Sequence, residues 1–163
     1  IPIDPYLLTW KAKQYDLNTK FIELSADINN SMPNYVVEKI NEGLNILGKN
    51  FSNSKILILG VAYKKNINDI RESPALKIME KLLQKKSNIS YHDNYISKLN
   101  INFKNKILKY KSEKISKRNL NTADIVCLVT DHDNCDYNFV RKNSRIIVDC
   151  RGKFKIYKNI LKA

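Results

Sequence analysis

Glycine is scarce. Four residues in 163 are glycine, and none falls in a G-x-G-x-x-G or Walker arrangement, so the chain carries neither a dinucleotide fingerprint nor a P-loop. Cysteine is sparse and odd in number. Cys127, Cys135 and Cys150 show no C-x-x-C spacing, which argues against a disulfide framework and a structural zinc site and fits a reducing cytoplasm. Cys127 and Cys150 sit in or beside apolar runs and read as small buried hydrophobes. The two histidines, His92 and His132, stand alone at predicted strand ends. A structural role is expected for each, and no metal site. No apolar run approaches the ~18 residues of a membrane span. The chain opens Ile1-Pro-Ile-Asp4, with neither Met nor a basic-then-apolar leader, and reads as the middle of a longer cytoplasmic protein.

Acidic residues are few, 16 against 29 basic ones, for a net charge of +13. Such a balance invites a polyanion partner. The basic set, however, is 24 Lys to 5 Arg, and Asn and Ile each occur 21 times. Lys, Asn and Ile rising together is what an AT-rich coding sequence produces. A nucleic-acid surface favours Arg for bidentate contacts and has no use for Ile. Composition therefore accounts for the charge, and no nucleic-acid or membrane partner is expected. Residues 98–118 are the densest in Lys and the hardest to read.

Patterning predicts a short helix over 4–15, with Asp4 as cap and Pro5 at its first position. A long helix follows over 25–47, with Ile28, Met32, Tyr35, Val36, Ile40, Leu44 and Leu47 at spacings of three and four. Pro33 predicts a kink or break. From Lys55 the texture alternates between strand and helix. Strands are expected at 55–59, 89–93, 107–110, 125–129 and 145–149, and helices at 73–84 and 134–141. Apolar strands alternating with helices imply an α/β fold, a Rossmann-like parallel sheet covered on both faces, preceded by a long helix. The boundaries follow as 1–48 for the helical part and 54–163 for the sheet domain.

Open parallel sheets bind ligands beyond the carboxyl ends of their strands. There the chain offers Gly60-Val-Ala-Tyr-Lys-Lys65, Arg71-Glu-Ser-Pro74, Thr130-Asp-His-Asp133 and Asp149-Cys-Arg-Gly152. Lys64, Lys65, Arg71 and Arg151 supply cations suited to a nucleotide diphosphate. Residue chemistry alone leads to a phospho-ligand or protein-binding α/β domain. A non-catalytic nucleotide- or polyanion-binding module stands as the alternative to an enzyme.

Ile1-Pro-Ile-Asp-Pro-Tyr-Leu-Leu-Thr-Trp-Lys11, Phe21-Ile-Glu-Leu24, Asn30-Ser-Met-Pro33, Gly60-Val-Ala-Tyr-Lys-Lys65, Arg71-Glu-Ser-Pro-Ala75, Tyr91-His-Asp93 and Thr130-Asp-His-Asp133 together resemble the UDP-glucose/GDP-mannose dehydrogenase family, in order and over the whole chain. The opening segment most resembles the branch of UDP-N-acetylglucosamine 6-dehydrogenases. The resemblance implies an enzyme that oxidises the C6 alcohol of a UDP-sugar to a carboxylate with two NAD, through a cysteine thiohemiacetal and thioester. It implies an upstream NAD domain and a nucleophilic cysteine just ahead of Ile1, both absent from these 163 residues. It implies a homodimer through the 25–47 helix and a UDP-sugar site in the 54–163 domain. By position, Asp4 matches the carboxylate that assists proton movement. Tyr63 and Lys64 match the pair contacting the UDP-sugar, and Arg151 an arginine near the uridine diphosphate. Arg71 matches the arginine that reaches the NAD pyrophosphate. Lys65 is expected to be plain surface.

Overall fold

Five short strands build the sheet in the computed structural model, which describes residues 3–163. They are β1 (Lys55–Leu59), β2 (Asn88–His92), β5 (Ile125–Leu128), β6 (Ile146–Asp149) and β7 (Ile160–Lys162). All pair in parallel, in the order β2-β1-β5-β6-β7. Parallel strands crossed by helices bury both faces, which is why β1, β5 and β6 are almost uninterruptedly apolar. Alternate side chains feed two cores. Ile56, Ile58, Ile125, Cys127, Ile146 and Val148 point to one face. There they meet α3 (Pro74–Gln84) through Ile78, Met79 and Leu82, and α2 (Lys20–Ile46) through Val36, Val37, Ile40 and Leu44. Leu57, Leu59, Val126, Leu128 and Ile147 face α4 (Lys117–Thr122) and α5 (Tyr137–Asn143) through Leu120 and Val140.

Ser73 caps α3, its hydroxyl accepting from the Ala75 amide at 3.3 Å, with Pro74 in the first turn. The cap was legible in the sequence. Four elements were missed or misplaced. Residues 107–110 do not extend the parallel sheet; they belong to β4 (Lys106–Lys111), which pairs antiparallel with β3 (Lys98–Phe103) as a separate two-stranded sheet. Leu99 and Ile101 turn inward while Lys98, Asn100 and Asn102 face solvent, a period-two pattern hidden by the Lys–Asn background. Helix α4 and strand β7 were also unread.

The compact units divide between Pro33 and Asn34. The reason is burial. Ile40 and Leu44 are fully enclosed, and Val36 and Val37 nearly so, in the sheet's own core. Helix α2 also begins earlier than expected and is not broken at Pro33. The first unit is a helical hairpin of α1 (Ile3–Lys13) and the start of α2. It is tied by Thr19 to Thr9 at 2.9 Å, Lys13 to Glu23 at 2.8 Å and Asn30 to the Tyr6 hydroxyl at 2.5 Å. Ile1 and Pro2, which open the quoted motif, lie outside the described residues. No helix among the described residues is long and apolar enough to cross a membrane.

Candidate functional site at the carboxyl end of the sheet

Asp93 is the hub of this end. It directly follows β2 and is 3% exposed. Its Oδ2 accepts the amides of Val61 (2.7 Å) and Ala62 (3.0 Å) in the turn after β1, while Oδ1 accepts those of Tyr95 (2.8 Å) and Ile96 (3.0 Å). Oδ2 also meets His132 Nε2 at 3.0 Å. Burial pushes the carboxyl upward, but the amides and the imidazole outweigh it and hold the group below the ordinary aspartate range. On its other side the His132 ring receives the Asn66 amide at Nδ1, 2.9 Å away. An N–H donor at Nδ1 assigns the ring proton to Nε2, where it is donated to Asp93.

The turn from Val61 to Asn66 is thus bolted at both ends. The Thr130 hydroxyl donates to the Ala62 carbonyl at 2.7 Å, and the Tyr63 amide to the Asp69 carbonyl at 2.7 Å. Asn66, at φ +63°, is gripped by Asp133: its side-chain amide donates to Oδ2 at 2.6 Å, and the Asp133 amide returns to its Oδ1 at 3.1 Å. Lys65, expected to be plain surface, bridges the same Asp133 at 3.0 Å. The Lys65 and Asn66 hydrogen bonds hold that carboxyl low. Between the bolts, Tyr63 is half-buried and Lys64 exposed, the ammonium 5.5 Å from the Tyr63 ring centre. Among the described residues Lys64 has no ion pair.

A second hub ends β6. Asp149 is fully buried; it accepts the amides of Arg151 (3.0 Å), Lys153 (3.2 Å) and Phe154 (2.9 Å) and the Lys162 ammonium (2.6 Å). Burial again opposes ionisation and these donors prevail, so its carboxyl also sits low. The Arg151 Nε donates to the Val129 carbonyl at 2.7 Å, tying the β6 loop to the end of β5. Tyr63, Lys64 and Arg151 therefore share one end of the sheet. Arg71 does not converge with them by any contact. Its guanidinium, 88% exposed, pairs with Asp69 at 2.8 Å, and this pairing lowers the Asp69 carboxyl to about 2. The anion that a cation near the α3 start calls for is supplied locally. Asp4 lies in the first unit, exposed in the first turn of α1, where a carboxylate suits the helix dipole without capping it.

The turn after β1 does not fit NAD. A pyrophosphate cradle needs free amides and glycines, and here the Val61 and Ala62 amides are already held by Asp93. No cluster of three metal-binding side chains occurs among the described residues. The sequence pointed to the cations on this end and missed the buried carboxylates that shape it. The signals for them were the Tyr91-His-Asp93 motif and the acid that ends the apolar run before Cys150, neither of which reveals a hub.

A family model describing the UDP-glucose/GDP-mannose dehydrogenase family, UDP binding domain, matches residues 57–156. The chain belongs to this family. That span runs from β1 past Arg151 and includes both hubs. Among curated relatives, a UDP-N-acetyl-D-mannosamine dehydrogenase of Methanocaldococcus jannaschii is 33% identical over 164 residues, covering 99% of this chain and 34% of the relative. An NDP-N-acetyl-D-galactosaminuronic acid dehydrogenase of Ralstonia solanacearum is 27% identical, covering 93% and 34%. The solved UDP-D-ManNAc dehydrogenase of Pyrococcus horikoshii superposes with a TM-score of 0.77 at 26% identity, over 99% of this chain and 36% of that one. The chain thus spans about a third of the length of these relatives, and within the family's UDP-binding domain it keeps the parallel Rossmann-like sheet.

Proposed function

We propose that this chain is the UDP-sugar-binding part of a nucleotide-sugar dehydrogenase that oxidises the C6 alcohol of a UDP-N-acetylhexosamine to the carboxylate. The match of residues 57–156 to the UDP-binding domain carries the reading. The open, bolted turn presenting Tyr63 and Lys64 supports it. The opening segment favoured UDP-N-acetylglucosamine as substrate. The relatives bear the names of enzymes for UDP-N-acetyl-D-mannosamine and an NDP-N-acetyl-D-galactosaminuronic acid, and the mannosamine compound becomes the preferred candidate. NAD, as hydride acceptor, is assigned to a part of the protein outside this sheet, because the β1 turn has no free cradle. Arg71 would reach that cofactor only by exchanging Asp69 for phosphate. Arg151 is placed near the diphosphate, and Asp4 keeps the proton-handling role implied by its position.

Lys64 is assigned to the sugar nucleotide because it is cationic, exposed and without an ion pair among the described residues, on a turn that cannot easily shift. In the full-length protein, Lys64→Ala should raise KM for UDP-N-acetylmannosamine by about ten- to a hundredfold, the loss of a charge-assisted contact of roughly 1.5–3 kcal/mol, and leave KM for NAD within about twofold. The assay follows NADH absorbance with UDP-N-acetylmannosamine, UDP-N-acetylglucosamine and UDP-glucose in parallel. An unchanged sugar-nucleotide KM would remove Lys64 from the site. No turnover with any of the three would reject the function.

The homodimer is proposed through α2, by the exposed part of its apolar pattern. Val36 and Ile40 are buried in the chain's own core and cannot meet a partner. Phe21, Leu24, Ile28 and Met32 recur at helical spacing and are 87%, 56%, 54% and 39% exposed. A stripe of that kind is what a second copy would cover. Replacing Leu24 and Ile28 with Lys should shift sedimentation from dimer to monomer with little change in melting temperature. A wild-type protein that is monomeric at micromolar concentration would refute this assignment.

A further inference from the structure

We propose that the buried Asp93–His132 pair, with Asp133 beside it, is a positioning device that sets the Tyr63–Lys64 turn for ligand. The inference rests on the reading that Lys64 contacts the sugar nucleotide. Neither Asp93 nor His132 can touch ligand, being only 3% exposed each. What they do is connect three strand ends. Asp93, after β2, holds the start of the turn by the Val61 and Ala62 amides. His132, after β5, takes its orientation from Asp93 and holds the end of the turn by the Asn66 amide. The Tyr95 ring lies against the imidazole, with centroids 4.8 Å apart. The exposed Asp133 adds an outer grip on Lys65 and Asn66.

Two consequences follow from this arrangement. First, Lys64 has a flexible stem on a rigid base, so its backbone is ordered before ligand arrives and the ordering penalty is not charged to binding. Second, Asn66 sits at positive φ, a conformation that asparagine adopts readily, so the end of the turn is set by its contacts and not by local strain. The buried backbone contact is the Asn66 amide to His132 Nδ1. Remove that acceptor and the backbone of the turn is loosened at its Asn66 end, where the exposed Asp133 still grips the side chain, although Asp93 holds the other end.

The two polar edges of the imidazole can be replaced one at a time. In His132→Asn the side-chain oxygen stands near Nδ1 and can still accept the Asn66 amide, but the donor to Asp93 is lost. In His132→Gln the side-chain nitrogen stands near Nε2 and can still donate to Asp93, but the Asn66 amide loses its acceptor. Both should lower the melting temperature. Only the Gln variant should release the turn. If the freed turn is competent about a tenth of the time, KM for the UDP-sugar rises about tenfold, with kcat within about twofold. In the Asn variant KM should stay within about threefold of wild type. Hydrogen exchange at the Asn66 amide should quicken in the Gln variant and remain slow in the Asn variant.

The experiment measures KM and kcat with UDP-N-acetylmannosamine, and Asn66 exchange, for the full-length wild type, both His132 variants, Lys64→Ala and Asp133→Ala. The last residue is exposed and its loss should not prevent folding; it should raise KM about threefold at an unchanged melting temperature, by releasing the outer grip alone. Lys64→Ala raising KM while His132→Gln does not would overturn the positioning role and leave the functional reading standing. Equal KM changes in the Gln and Asn variants would overturn it too, as a mark of general destabilisation. Should neither His132 variant fold, an unchanged KM in Asp133→Ala overturns the proposal and a raised one supports it. A wild type that turns over none of the three UDP-sugars removes the function and this inference together.

Discussion

Gly60→Ala is expected to destabilise the sheet domain by about 2–5 kcal/mol. Gly60 follows β1 at φ +81°, where a residue with a Cβ pays roughly 1–2 kcal/mol in local sterics. The larger cost is packing. An added Cβ would stand 2.1 Å from the Thr130 carbonyl oxygen and 2.8 Å from its carbonyl carbon. These are backbone atoms, so no rotamer change can relieve the overlap. The end of β1 would have to part from the end of β5, straining the Val129 amide bond to the Leu59 carbonyl (2.9 Å) and the Gly60 amide bond to the His92 carbonyl (2.8 Å). Overpacking of this kind adds about 1–3 kcal/mol. Urea unfolding of the variant against wild type measures the difference. A loss below about 1 kcal/mol would mean that β1 and β5 do not approach as closely as described.

Asp93→Ala should cost about 3–5 kcal/mol, the scale of breaking a buried charge network by removing one partner. Four amides and the His132 Nε2–H would lose their acceptor in a site closed to water. Its pH signature separates this loss from simple cavity formation. Asp93, Asp124 and Asp149 all have carboxyls held below the ordinary aspartate value, because burial is outweighed by amide, lysine and imidazole donors. A folded-state value below the unfolded one gives stability that is present above the unfolded value, near 3.9, and lost as pH falls through the folded value. Wild-type stability should therefore decline as pH drops below about 5. The Asp93→Ala protein should show a shallower decline, having lost one of these three buried carboxylates. Urea midpoints between neutral and acid pH test this. Parallel curves for the two proteins would show that Asp93 contributes nothing as an ion.

The sheet was legible because its strands are legible one at a time. A run such as Lys55-Ile-Leu-Ile-Leu59 ending at Gly60 has few alternatives in an α/β domain, and Ser73-Pro74 marks a helix start by local chemistry alone. The β3–β4 hairpin was not legible. Its inward residues are few, and its outward Lys and Asn are the same residues that the composition spreads everywhere. Strand β7 is three residues long, too short for a period to show, and is defined by pairing with β6 across the irregular chain of residues 150–159.

The sequence by itself determined the family and the parallel α/β class, since each rests on residue type and order along the chain. Tertiary structure alone decided which helix face is free and what holds the site. Helical spacing places Val36, Ile40, Ile28 and Met32 in one apolar pattern, and only packing shows that the first two are enclosed and the last two are not. In the same way, Asp93 and His132 are 39 positions apart. Their chemistry depends on a 3.0 Å contact made when β2 and β5 flank β1. A hydrogen bond is a property of distance and burial in space, and neither is written in the spacing of residues along a chain.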